Sequence, residues 1–203
     1  RQQDRHKVRD NAEIFPHYDS FGVPKTVGSG LFLLSMFPFE RRAFTEFMFA
    51  SKMRRVLKEG EAIAGKGISM NTSNIRGLPV SLFDVHTMAR TRDFEKDSDF
   101  LMPERTMQLF EIFKLIVEQT DSDAFLLAGD MNATFHQTEY RFFQKLSSLK
   151  PNMVEKTNPE FCTSCRDNFY QDGGGHYGHL DYVFLSPRLK FNDFKRDFDQ
   201  KIL

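Results

Sequence analysis

Two residues in one short stretch have the types and spacing for metal or phosphate chemistry. Asp130 and Asn132 close the run Ala124-Phe125-Leu126-Leu127-Ala128-Gly129-Asp130-Met131-Asn132. The apolar residues before them read as a strand buried on both faces, which stops at Gly129. In an open α/β sheet, ligands bind in the crevice beyond the carboxyl ends of the strands, and the pair would lie there. Alternation sends Asp130 and Asn132 to one side and Met131 to the other. A carboxylate oxygen beside an amide oxygen suits a hard cation such as Mg²⁺, with the Asn NH₂ left to donate to a phosphate oxygen. The same two residue types also make the hydrogen bonds of ordinary turns.

Other residues could join them. His86 ends the strand-like run Pro79-Val80-Ser81-Leu82-Phe83-Asp84-Val85, in which Val80, Leu82, Phe83 and Val85 carry the burial. A histidine at such a strand end serves either as a satisfied structural residue or in catalysis. Asp181 lies near the start of the run His179 to Ser186, half-buried, and a buried Asp needs a partner. A histidine needing orientation and a backbone turn both qualify. Arg105 opens a helix near the same crevice, unless it pairs at the surface with Glu104 or Glu111. Cys162 and Cys165 are the only cysteines. They lack the second ligand pair of a structural zinc site, which leaves a small loop disulfide or two free thiols. Gly173-Gly174-Gly175 has no Gly-Lys-Ser/Thr after it and so is not a phosphate loop.

The elements that must position these residues follow from pattern. The 203 residues make one domain, 1–203, long enough for a large core. Lys+Arg 28 balance Asp+Glu 28, which argues mildly against affinity built from many phosphate contacts and leaves room for a local basic patch within the neutral total. No apolar run approaches the ~20 residues of a membrane span. With 23 Phe and no Trp, most Phe is expected in the core, and some remains available to face lipid.

In order, residues 1 to 13 read as a surface helix or irregular lead-in, and Gly28 to Ser35 as a turn feeding a buried strand. Phe44 to Phe49 reads as extended, and Lys52 to Glu61 as a solvated loop or short helix. Gly65 to Met70 and Pro79 to His86 form an antiparallel hairpin around the connection Asn71 to Gly77. Met102-Pro103-Glu104-Arg105 opens a helix whose Met107, Phe110, Phe113 and Val117 are expected to pack on the sheet. Gln137 to Leu149 is a second helix through Tyr140, Phe143 and Leu146. Pro151 to Tyr170 reads as a long loop. The chain begins at Arg1 with no signal-like segment and stops at Leu203, so it reads as cut at both ends.

Four stretches, in order, carry a resemblance: Val85-His86-Thr87, the helix bearing Arg105, Gly129-Asp130-Met131-Asn132 and Leu180-Asp181-Tyr182. The chain resembles the endonuclease/exonuclease/phosphatase superfamily of metal-dependent phosphoesterases. Within it, the chain is most similar to neutral sphingomyelinases. Gly28-Ser29-Gly30-Leu31, Ala64-Gly65-Lys66-Gly67-Ile68 and the excursion Thr157 to Tyr170 carry that further likeness, which runs from about Phe15 to Phe198.

The resemblance implies a four-layered α/β sandwich of the deoxyribonuclease type, with mixed sheets flanked by helices. It implies Mg²⁺ as cofactor, held by Asp130 and Asn132, and hydrolysis of sphingomyelin to ceramide and phosphocholine. Asp130 would orient or deprotonate the attacking water, Asn132 and His86 would bind the phosphate, and Asp181 would hold a catalytic His. It favours a secreted or membrane-associated setting, with phospholipid as partner and nucleic acid less so. Two family features are missing: the metal-binding Glu expected before Phe15 and the Ser-Asp-His expected after the Leu-Asp-Tyr strand. Two alternatives stand beside the lipid reading, the second of them favoured by these absences. One is a nuclease or abasic-site endonuclease of the same superfamily, and the other is a non-catalytic fragment that binds lipid or a partner.

Overall fold

Alternating patterns build two sheets in the computed structural model, which describes residues 15–21, 29–49, 65–89, 99, 101–120, 122–151, 162–164 and 178–192. Strands β1 (His17–Ser20) and β2 (Phe32–Ser35) pair antiparallel as a two-stranded sheet. The larger sheet has six strands in the order β3-β4-β5-β6-β8-β7. These are β3 (Arg41–Glu46), β4 (Gly67–Ile75), β5 (Leu78–His86), β6 (Phe125–Asp130), β7 (Lys150–Pro151) and β8 (Asp181–Leu185). Helix α1 (Met102–Gln119) crosses from β5 to β6, whose pairing is parallel, while every other neighbouring pair is antiparallel. Helix α2 (Thr138–Ser147) follows β6. The expected α/β class with a mixed sheet and flanking helices is the one observed. Residues 1 to 13, 52 to 61 and most of 151 to 170 lie outside the described set, as do Gly173 to Gly175.

The β4–β5 hairpin is tighter than its composition suggested. Asn71 to Gly77 was expected to be a connection, yet β4 runs to Ile75 and only Arg76 and Gly77 make the turn, both at positive φ. That two-residue geometry matches the twist of the flanking strands. The Asn and Ser residues that read as loop are strand members, with Asn71 and Ser73 fully buried.

Alternation divides the six-stranded sheet into two faces. Ile68, Met70, Phe83, Val85, Leu127, Tyr182 and Phe184 share one face and pack with Leu109, Ile112 and Ile116 of α1 and Tyr140 and Phe143 of α2. Tyr140 lies 4.6 Å from Tyr182 between ring centroids, and Phe143 meets Phe184 edge-on at 5.4 Å. Each such fully buried side chain contributes about 1.5–3 kcal/mol by leaving water. Leu82, expected in this core, alternates onto the opposite face with Asp84 and His86. β6 is not buried on both faces: Leu127 is fully enclosed, whereas Leu126 and Ala128 are half-buried.

The packing face of α1 is also shifted from expectation. Arg105, Gln108, Leu109, Ile112 and Ile116 are buried, while Met107, Phe110 and Val117 are exposed. Both sets have helical spacing, but the smaller branched side chains fit against the sheet, and two polar residues join them because each is hydrogen-bonded. Gln108 accepts from the Met88 amide at 2.8 Å and donates to the Phe49 carbonyl at 2.7 Å. Phe is likewise divided: Phe21, Phe47, Phe83, Phe143 and Phe184 are buried, whereas Phe15, Phe49, Phe110, Phe142 and Phe191 are exposed. Among the described residues no helix is long and apolar enough to cross a membrane.

Gly129 sits where a side chain has no room. Its φ is +133°, and a Cβ there would run into the Val85 carbonyl of the parallel neighbour. Gly129→Ala should therefore destabilise the chain by about 3 kcal/mol or more, read as a lowered urea midpoint. A midpoint unchanged from wild type would contradict this account of the β5–β6 contact.

Candidate active site

Register brings three of the sequence-derived residues into one row. His86 is opposite Asp130 across the parallel β5–β6 pair, and Asp130 is opposite Asp181 across β6–β8. All three lie on the face away from the helices. Asn132 stands just past the end of β6 with φ +46° and is 8% exposed. Its amide N–H donates to Asp130 Oδ1 at 2.7 Å, and its side-chain NH₂ donates to the Thr87 carbonyl at 3.0 Å. The turn hydrogen bond weighed from the sequence is thus present. The NH₂ reaches a backbone carbonyl rather than being left wholly to a phosphate.

Around His86 the structure adds two residues. Lys66, 3% exposed, places its ammonium Nζ 2.6 Å from His86 Nε2. An ammonium only donates, so Nε2 accepts and the neutral imidazole carries its proton on Nδ1. Burial, with the Lys66 charge second, pushes the His86 pKa down to about 3. The 3.7 Å approach of His86 Nε2 to Asp130 Oδ2 is then one between a neutral ring and a carboxylate. Gly30 lies against the other nitrogen: its φ is +82°, and a Cβ there would stand 3.2 Å from His86 Nδ1.

Asp84, two residues before His86, is half-buried on the same face. Burial is the larger cause that pushes its carboxyl up to about 7; a Val85 backbone hydrogen bond opposes this and the nearby Asp181 charge adds to it. Asp181 itself is exposed rather than half-buried. His179, fully buried, donates from Nε2 to the Asp181 carbonyl at 2.7 Å and stacks on Tyr182 at 4.4 Å. Burial holds its pKa below the ordinary value for histidine. The histidine near Asp181 is therefore bonded to its backbone.

Arg105 is not at the site surface. It is fully buried and binds Glu139 Oε1 through Nε at 3.1 Å and through a terminal nitrogen at 2.5 Å, with Asp99 Oδ2 also at 2.5 Å. Neither expected partner, Glu104 or Glu111, is involved in these bonds; Glu111 instead accepts from the amides of Met48 and Phe49. Arg105 thus ties the start of α1 to α2.

Asp130 and Asn132 present hard oxygen donors on one turn. The hydrogen bond from the Asn132 NH₂ directs the amide nitrogen to Thr87, which leaves its oxygen as the acceptor. Such a set suits Mg²⁺, which takes one or two protein oxygens and completes its shell with water and phosphate. Among the described residues no group of three or more His, Cys, Asp or Glu side chains gathers to hold a metal. Cys162 is disulfide-bonded, which decides between the two alternatives for the cysteines. Lys66, Asp84, Gln108 and Glu139 were not singled out as site or framework residues from the sequence.

No family model and no curated protein matches the sequence. Solved structures do match in fold. SmcL is 20% identical, with a TM-score of 0.69 over 90% of this chain and 65% of that one. Sphingomyelinase C from Streptomyces griseocarneus is 18% identical, with a TM-score of 0.65 over 92% of this chain and 66% of that one. TDP2 from D. rerio, solved with a single-strand DNA product, is 12% identical, with a TM-score of 0.61 over 89% and 65%. The chain thus spans about two thirds of the length of these structures. It has their fold, the deoxyribonuclease-like α/β architecture that the motif resemblance implied.

Two titrations test the electrostatics. Lys66→Met should raise the imidazole pKa of His86, followed by NMR without added metal; an unmoved midpoint would show that the ammonium does not act on the ring. Asp84 has a folded pKa above its unfolded value of 3.8, so its contribution to stability is full below that pH and is lost as pH rises toward about 7. Asp84→Asn should accordingly gain stability relative to wild type between those limits, seen as diverging urea midpoints.

Proposed function

We propose that this chain carries the central part of a Mg²⁺-dependent phosphodiesterase acting on a phospholipid, with sphingomyelin as the substrate. The row His86–Asp130–Asp181, with Asn132 beside it, is the observation that carries the reading. It gathers two carboxylates, an imidazole and a carboxamide at one end of one sheet. The fold is that of a sphingomyelinase C, and Staphylococcus aureus beta toxin, of the same fold, has been solved with bound magnesium ions.

Asp130 would orient and deprotonate the attacking water, and Asn132 would hold a phosphate oxygen through the remaining hydrogen of its NH₂. Asp130 and Asn132 would also hold the Mg²⁺, which when bound supplies positive charge for the phosphoryl oxygens. His86 and Lys66 act as a pair. The ammonium fixes the ring tautomer and adds a donor and a positive charge where a phosphoryl oxygen would sit. Asp181 would orient a histidine from outside the described residues. Activity, substrate and metal belong to the whole protein, of which this chain supplies these groups.

The preference for lipid over nucleic acid rests on surface character. Met48 and Phe49 are exposed and hydrogen-bonded to α1 at Gln108 and Glu111, beside exposed Met107 and Phe110. Met48 and Phe49 follow β3, whose end is tied to the Lys66 backbone by the Phe47 amide at 3.1 Å, so they lie toward the end of the sheet that carries Lys66 and His86. The balanced net charge gives no broad field for a polyanion.

The test is phosphocholine release from sphingomyelin vesicles with and without Mg²⁺, using this chain and a version extended at both ends. Release that requires Mg²⁺ supports the reading; turnover of single-stranded DNA instead would move it to a nuclease. Asp130→Asn keeps the acceptor for the Asn132 amide and should lower kcat by about a hundredfold or more with the thermal midpoint little changed. An active Asp130→Asn enzyme would sink the assignment of the general base.

A further inference from the structure

Asp181 is the first residue of β8 and its side chain is exposed, so packing does not set where its carboxylate stands. Its backbone does. The Met131 amide donates to the Leu180 carbonyl at 2.8 Å, and His179 Nε2 donates to the Asp181 carbonyl at 2.7 Å. The third support comes from far along the chain: the Thr163 hydroxyl oxygen accepts the amides of both Leu180 and Asp181, each at 3.0 Å. One oxygen thus holds two consecutive N–H groups at the point where β8 begins.

Thr163 is itself anchored on both sides. Its amide and that of Ser164 donate to the Gly178 carbonyl at 3.1 and 3.0 Å, and the Gly178 amide returns a bond to the Ser164 carbonyl at 3.0 Å. Cys162, just before it, is buried and disulfide-bonded. Gly178 lies close to Thr134, since a Cβ there would stand 3.2 Å from Thr134 Cγ2, two residues past Asn132. The segment Cys162 to Ser164 therefore clips the entrance of β8 beside the Asp130–Asn132 turn.

We infer that Thr163 is a positioning residue of the candidate active site, its hydroxyl fixing Asp181 relative to Asp130 and His86. The inference rests on the phosphodiesterase reading. Removing the hydroxyl leaves two neighbouring amides without their acceptor and frees the first pair of the β6–β8 ladder, Asp130 with Asp181, to fray. Catalysis is sensitive to such displacement: an ångström at a reacting group costs up to about a hundredfold in rate.

The experiment compares Thr163→Val, which keeps the shape and loses the acceptor, with Thr163→Ser, which keeps the acceptor. Thr163→Ala is a second variant without the hydroxyl. Steady-state hydrolysis of sphingomyelin vesicles with Mg²⁺ is measured in whichever form, this chain or the extended one, turns the substrate over. Thr163→Val and Thr163→Ala should lower kcat about tenfold with KM unchanged, and Thr163→Ser should restore it to within about twofold. Hydrogen exchange at the Leu180 and Asp181 amides should quicken in the first two variants and not in the third. Wild-type kcat in Thr163→Val or Thr163→Ala, or an equal defect in Thr163→Ser, would overturn the inference. If no form turns over sphingomyelin, single-stranded DNA or bis(4-nitrophenyl) phosphate, the phosphodiesterase reading falls first and takes this inference with it.

Discussion

Parallel pairing of β5 with β6 is the constraint on which the site depends. It sets His86 opposite Asp130 and carries the chain at Gly129 over the Val85 carbonyl, where only glycine fits. The antiparallel addition of β8 then brings Asp181 into the same row. Strand register thus sets residues 86, 130 and 181 in one row, and the Thr163 hydroxyl and His179 ring add side-chain support where β8 begins. The helices on the far face hold the sheet in shape through Leu109, Ile112, Ile116, Tyr140 and Phe143 and take no part in the row itself.

The electrostatics of the row run against the usual order of the groups. Burial and Lys66 press the imidazole of His86 toward its neutral form, while burial and Asp181 press the carboxyl of Asp84 toward retaining its proton. Near neutral pH, a ring that ordinarily carries charge for part of the time has none. A carboxyl that is ordinarily ionised is partly protonated. Pushing neighbouring groups apart in this way is how active sites assign proton donors and acceptors. Here a fixed positive charge beside His86 comes from Lys66, a residue that composition alone would leave on the surface.

Much of the architecture was legible because it follows from local pattern. The hairpin, both helices and the Asp130 strand were marked by alternation, by proline at a helix start and by the Gly-Asp-x-Asn turn. Long-range pairing was harder to read. The α1 packing face was misjudged because Met107, Phe110 and Val117 mimic the spacing of Leu109, Ile112 and Ile116, and only the sheet chooses between them. Asn71 and Ser73 read as loop because polar residues in a buried strand run against the average. The roles of Lys66, Asp84 and Thr163 were not legible, although Lys66 and Thr163 lie in stretches that carry the family likeness. Each depends on a partner 17 residues or more away in sequence or on register across strands.

The ion-paired trio of buried Arg105 and Glu139 with half-buried Asp99 bears on how this sequence can change over generations. Arg105 is enclosed with two carboxylates around it, and its other terminal nitrogen is buried without a hydrogen bond. Replacing one member strands a charge away from water, at a cost of about 3–5 kcal/mol, whereas exchanging the set for apolar residues together need cost little. Single substitutions are therefore closed off while the concerted exchange lies several steps away. The three positions should drift as a block or not at all. Their persistence in descendants of this chain would then record the depth of that mutational valley rather than any part in the chemistry.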